Sequence, residues 1–351
     1  MRFISYIILR KIRKNYLARQ KVKNRNFIIN KLRVLSSKPS NLQITVKRWR
    51  KYSFPDNVYC LCITSNANNT YMFAITTCGI YISNDLGFVW TSCFSTNTVT
   101  WYCICSDITG QYIIASAKIN NIEDILYRKS VVYYSDNYGQ TWNLSSYHSQ
   151  MNENDYLISI KYTDRQTFVL LSMNGYIYES TDYGKNWNTL SVIDSWCSSV
   201  TYNNKLLTVA CGYANGGIYL SDDRGVLWVK QTDIKCKLLS ASFSCQYLAC
   251  ICNSNPNGGI YVSNDYGAVW NRTLPLCIDW TSITMDYTGK SIYASSSNKG
   301  IYFSDNYGVS WIKLETNTID WNCSIVNNDG TRLVASTLNY STKVSDIYVY
   351  E

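Results

Sequence analysis

Six aspartates stand one to four residues ahead of strand-like runs: Asp56, Asp155, Asp194, Asp233, Asp279 and Asp320. Five of seven such runs open on an aromatic residue, Trp101, Tyr156, Trp196, Trp280 or Trp321. If the runs repeat around an axis, these side chains form a crown at one mouth of a ring. Carboxylates gathered in a low-dielectric mouth focus a negative potential and aromatic faces hold cations, so the crown suits a basic partner, including the chain's own basic N-terminus. The plainer reading is that Asp serves the turn and Trp packs between repeats.

Other chemistry is thinly supplied. The one histidine, His148, offers no nucleophilic triad, and neither a phosphate-cradling glycine loop nor a Cys/His pattern at zinc spacing occurs, so no metal and no cofactor is expected. Fourteen cysteines include the pairs Cys60/Cys62, Cys103/Cys105 and Cys250/Cys252 inside strand-like runs, where other repeats carry Ser159, Ser198, Ser282 or Ser324. Cysteine exchanged for serine within a strand reads as a small buried residue rather than half of a disulfide, which points to a reducing, cytoplasmic compartment.

The element that must position these residues is a repeat, S-x-[DN]-x-G-x-x-W. Its six copies are Ser83, Asp85, Gly87, Trp90; Ser135, Asn137, Gly139, Trp142; Ser180, Asp182, Gly184, Trp187; Ser221, Asp223, Gly225, Trp228; Ser263, Asp265, Gly267, Trp270; and Ser304, Asn306, Gly308, Trp311. Successive serines lie 52, 45, 41, 42 and 41 residues apart, and each follows an alternating run such as GIYIS or GIYFS. The spacing is that of propeller blades, with alternation marking the strand before each turn. Ser and Asp side chains bond turn amides, Gly supplies positive φ and Trp anchors the next strand. Asn at 137 and 306 keeps an acceptor oxygen, so the turn survives.

These residues resemble the Asp-box, or BNR, repeat of sialidases, sortilin-type receptors, xyloglucanases and photosystem II assembly-factor propellers. The resemblance covers residues 44–351 and implies an all-β fold, a seven-bladed β-propeller of four-stranded blades. Sialidase chemistry would need an arginine triad, with its first Arg in an R-I-P context that this chain lacks. Its blades hold only Arg128, Arg165, Arg224, Arg272 and Arg332 beyond the closing strand. Xyloglucanases place paired carboxylates between two propellers, and this chain has room for one. Single-disk size is most similar to the assembly-factor propellers, which bind rather than catalyse.

Seven inner strands are expected to begin near Val58, Trp101, Tyr156, Trp196, Lys237, Trp280 and Trp321, one more than the boxes. The last unit stops where its box would begin, and ITVKRWRKYSF (44–54) supplies the missing outer strand, with Trp49 matching the post-box tryptophans. The N-terminal strand thus closes the ring and removes two exposed sheet edges. An insertion within residues 116–132 is expected to protrude as a loop or short helix.

Residues 1–43 form a separate basic N-terminal arm, helical or disordered. Residues 1–55 hold sixteen Lys and Arg and no acid, whereas the remainder carries 17 basic against 24 acidic residues. Arg10, Lys11, Arg13, Lys14, Arg19, Lys21, Lys23 and Arg25 are the candidate polyanion contacts, to nucleic acid or an anionic surface. FISYIIL followed by Arg10 is too short for a signal peptide or a membrane span. A transit peptide, a polyanion tether and a tail docking on a protein or lipid surface remain open. Abundant Asn, Tyr, Ile and Lys with four prolines fits an AT-rich genome, leaving a virion or viral factory as alternative locations to the cytoplasm or an organelle. The functional expectation is a non-enzymatic interaction scaffold, with a protein partner on one propeller face; the alternative is a glycoside hydrolase or carbohydrate-binding propeller.

Overall fold

The computed structural model describes residues 47–351 except 97, 121–129, 147–154, 164–165, 194–196, 203–206, 212–215, 254–255, 277, 298, 315–318, 340–341 and 343. Two compact units divide at Lys47/Arg48. The arm, with every polyanion contact named above, the tip of the insertion (121–129), Asp194 and Trp196 lie outside the described residues.

Among the described residues, Arg48–Glu351 contains seven four-stranded antiparallel sheets. In six of them strand order follows the chain, as in blade 1 with Cys60–Ser65, Met72–Thr76, Gly79–Ser83 and Thr91–Ser95. Blades 2 to 6 begin at Val99, Leu157, Cys197, Leu238 and Trp280. The seventh combines Trp321–Val326, Leu333–Thr337 and Asp346–Tyr350 with Trp49–Ser53 from the other end of the chain. Trp49 pairs with Tyr350 and Ser53 with Asp346, and Arg48 and Glu351 exchange backbone hydrogen bonds just beyond. Lys51 bonds Asp346 at 2.8 Å, and that bond raises its pKa. The closing strand is thus shorter than the 44–54 segment read from sequence, beginning at Trp49.

Burial explains the strand sequences. Second strands are sandwiched between neighbouring blades and are continuous apolar runs such as MFAIT, buried at every position, whereas outer strands such as TSCFS are largely exposed. Seven apolar clusters fill the seven junctions between consecutive blades, the last joining Val334, Ile347 and Val349 of blade 7 to Met72 and Ala74 of blade 1. Each post-box tryptophan enters the junction with the preceding blade, Trp90 against Phe54 and Trp142 against Phe94 among them. Trp49 fills the remaining junction, against Trp321, Tyr348 and Tyr350.

The box turns bond as their residue types require. Ser83 donates to Asp85 and accepts from the Gly87 amide at 2.9 Å, while the Phe88 and Val89 amides donate to Asp85. Asn137 and Asn306 take the same role, accepting from the Thr141 and Ser310 amides. Both the box glycine and the residue before it have positive φ, Tyr183 at 61° and Gly184 at 88°. The glycine is also needed sterically, since a Cβ on Gly184 would lie 2.5 Å from Ile114 of the preceding blade.

Candidate functional site

The crown residues precede the inner strands, on the face opposite the boxes. Trp101, Trp280 and Trp321 are 3%, 0% and 1% exposed and pack between blades, so they do not rim a mouth; this corrects the crown at those three positions. Tyr156 is half-buried, with the Lys118 ammonium 3.8 Å from its ring centre. Three of the aspartates, Asp56, Asp155 and Asp233, are engaged locally through their carboxylates. Asp56 accepts from the Tyr81 hydroxyl at 2.6 Å and buried Asp155 accepts from the Tyr178 hydroxyl, each a tie from the incoming connector to the third strand of the same blade. Burial pushes the Asp155 pKa up, against hydrogen bonds from Ser172, Tyr178 and Asn174 that pull it down. Exposed Asp233 pairs with Lys230 and borders a cavity of about 570 Å³ with Lys235, Asn257 and Tyr261. Asp279 and Asp320 accept backbone bonds from Ser297 and Leu338 through their carbonyls. No two of these carboxylates share a partner among the described residues.

The other mouth of the channel, on the box face, was not singled out from sequence. There the turn between first and second strands repeats as a second staple. Asn66, Asp107, Ser242, Asp286 and Asn327 each accept with their side chain the amide five residues on, at 2.9–3.1 Å. The next residue in each turn bonds the neighbouring turn through its backbone: Phe243 to Tyr287, Tyr287 to Asn328, Asn328 to Ala67 and Ala67 to Ile108, at 2.8–3.0 Å. Five consecutive blades are tied in one direction around the mouth. The signal was legible as [DN]-x-[TD]-G at Asp107–Gly110, Asp286–Gly289 and Asn327–Gly330, but Asn69, Gln166 and Cys245 replace the glycine elsewhere and take positive φ themselves.

A cavity of about 380 Å³ opens inside this ring, lined by Lys161, Tyr162, Thr201, Ser240, Thr284 and Asp286 among others. Ile108, Phe243 and Tyr287 on its lining are 58%, 42% and 47% exposed, and the Phe243 and Tyr287 rings stack at 4.4 Å. These large apolar side chains are held half in water on the turns and belong to the surface rather than the core.

The described blade arginines are committed within the fold. Arg224 forks onto Glu179 of the preceding blade, Arg272 bonds the carbonyls of Pro256 and Gly258, and Arg332 meets Glu351 and the Leu86 carbonyl. Arg128 and Arg165 lie outside the described residues. No group of three His, Cys, Asp or Glu side chains able to hold a metal ion occurs among the described residues, nor does a helix long and apolar enough to cross a membrane.

The fold is a β-propeller with six box turns, and the BNR/Asp-box repeat signature matches residues 133–144, one of them. No curated protein sequence matches it. Among solved structures it is similar to YCF48 bound to D1 peptide (11% identity, TM-score 0.62, covering 86% of this chain and 96% of that one) and to YCF48 from Cyanidioschyzon merolae (10%, 0.62, 86% and 98%). It is also similar to a GH74 xyloglucanase from Xanthomonas campestris (13%, 0.62), covering 85% of this chain but only 55% of that enzyme.

Proposed function

We propose that the protein is a non-enzymatic interaction propeller that receives a segment of a protein partner at the channel mouth on the box face. Its basic N-terminal residues would tether it to a polyanion or to the partner's assembly. The observation that carries this reading is the exposed Phe243–Tyr287 stack over a cavity whose turns are locked blade to blade. Preorganised turns lower the entropic cost of binding. The commitment of the described arginines to intramolecular partners weighs against carboxylate-gripping sialidase chemistry. A structural neighbour carries a bound peptide, which is in keeping with a peptide-binding role. Cys60, Cys62, Cys78 and Cys105 carry free thiols, in keeping with a reducing compartment.

The competing reading is a glycoside hydrolase, favoured by the raised pKa of buried Asp155, a property expected of a general acid. Assays of the purified protein on sialosides and xyloglucan oligosaccharides separate the two. The scaffold reading expects no turnover, and turnover abolished by Asp155→Asn would overturn it. In affinity capture, a partner bound by the wild type is expected to be lost from Phe243→Ser and Tyr287→Ser and kept by Asp279→Asn.

A further inference from the structure

Two positions before each first turn, the inner strands place one residue at a common level of the channel: Thr64, Cys105, Lys161, Thr201, Ser240, Thr284 and Ile325, fixed by their pairings with the second strands. Lys161 is the one charge in this ring. Its ammonium makes no hydrogen bond or ion pair with any described residue; burial raises the pKa of the Cys62 and Cys105 thiols of blades 1 and 2, and the Lys161 field offsets only part of that rise. On the adjacent blade Thr201, 4% exposed and part of the cavity lining, has a buried hydroxyl without a hydrogen-bond partner. A buried polar group left unsatisfied costs free energy that an incoming partner recovers, and a lone ammonium on the same cavity lining sets the sign of that partner.

Resting on the reading of the mouth as a peptide site, we propose that Lys161 and Thr201 form an internal subsite for a carboxylate, supplied by an Asp or Glu side chain of a peptide whose apolar neighbour covers Phe243 and Tyr287. A singly charged group is favoured over a phosphate dianion. The buried Asp286 carboxyl on the same lining is already filled by the Thr288, Lys290 and Ser291 amides and repels a second negative charge.

The test is calorimetric titration of the full chain with the acetylated, amidated tripeptide Phe-Glu-Phe and its Gln counterpart. The Glu peptide is expected to bind about tenfold or more tightly than the Gln peptide, a preference of about 1.4 kcal/mol or more. Lys161→Met and Thr201→Val should each reduce that preference, while Lys161→Arg keeps it. Equal binding of both peptides, a preference that survives Lys161→Met, or no binding of the Glu peptide would overturn the proposal. Equal binding that Tyr287→Ala abolishes would leave the peptide-site reading standing and remove only the carboxylate subsite.

Discussion

The Trp49 ring lies 5.3 Å from that of Trp321, within the one blade that the two ends of the propeller chain share. Trp49 is to the seventh junction what the box tryptophans are to the other six. Trp49→Ala should therefore destabilise the disk by about 3–5 kcal/mol, the usual cost of emptying a tryptophan site. Deleting residues 1–40 should leave melting unchanged, whereas deleting 1–54 should abolish the cooperative transition by exposing a sheet edge. Thermal melts of the three proteins check this; equal melting of both truncations would contradict it.

Gly184 takes a φ of 88° with Ile114 where a Cβ would go. Gly184→Ala should cost about 1–3 kcal/mol from strain and overpacking. Chemical denaturation with an unchanged midpoint would show that the turn can shift away from blade 2.

Asp182 is partly buried, which raises its pKa, but bonds from Asn186, Ser180 and the Lys185 amide outweigh burial and lower it overall. A depressed folded value means stability present above the unfolded pKa of about 3.9 and lost as pH falls through the folded one. Melting temperature should therefore fall less steeply below about pH 4 in Asp182→Asn than in the wild type. Asn at 137 and 306 already shows that the turn closes without the charge. Superimposable pH profiles would show that the carboxylate contributes through shape alone.

Cys78 is exposed, whereas burial pushes Cys62 up to about 12 and Cys93 and Cys105 to about 11. Since the thiolate is the reactive form, iodoacetamide at pH 8 should label Cys78 first and leave the other three until denaturant is added. Peptide mapping by mass spectrometry reads this out, and early labelling of Cys62 would mean that the channel opens in solution.

The blades were legible because each is one strand–turn unit with a strongly typed turn: Ser, Asp, Gly and Trp have separate physical duties and cannot be exchanged freely. Trp49 was legible for the same reason, as an unmatched tryptophan beside an unmatched strand. The crown misled because Trp101, Trp280 and Trp321 recur for packing, and recurrence alone does not say whether a side chain faces a channel or a neighbour. The box-face mouth stayed hidden because its staple tolerates Asn, Asp or Ser at the first position and Asn69 or Cys245 in place of glycine, which dissolves the pattern. Lys161 was invisible as a site because nothing in LISIKY distinguishes a channel-facing lysine from a surface one.

Site-specific photo-crosslinking from the two faces tests the central claim most directly. With p-benzoylphenylalanine in place of Tyr287 or of Asp279, the protein exposed to its native extract should give a discrete adduct from position 287 and none from 279. The adduct should disappear when Phe243→Ser is added. Adducts from position 279 alone would place the partner on the crown face and contradict the account.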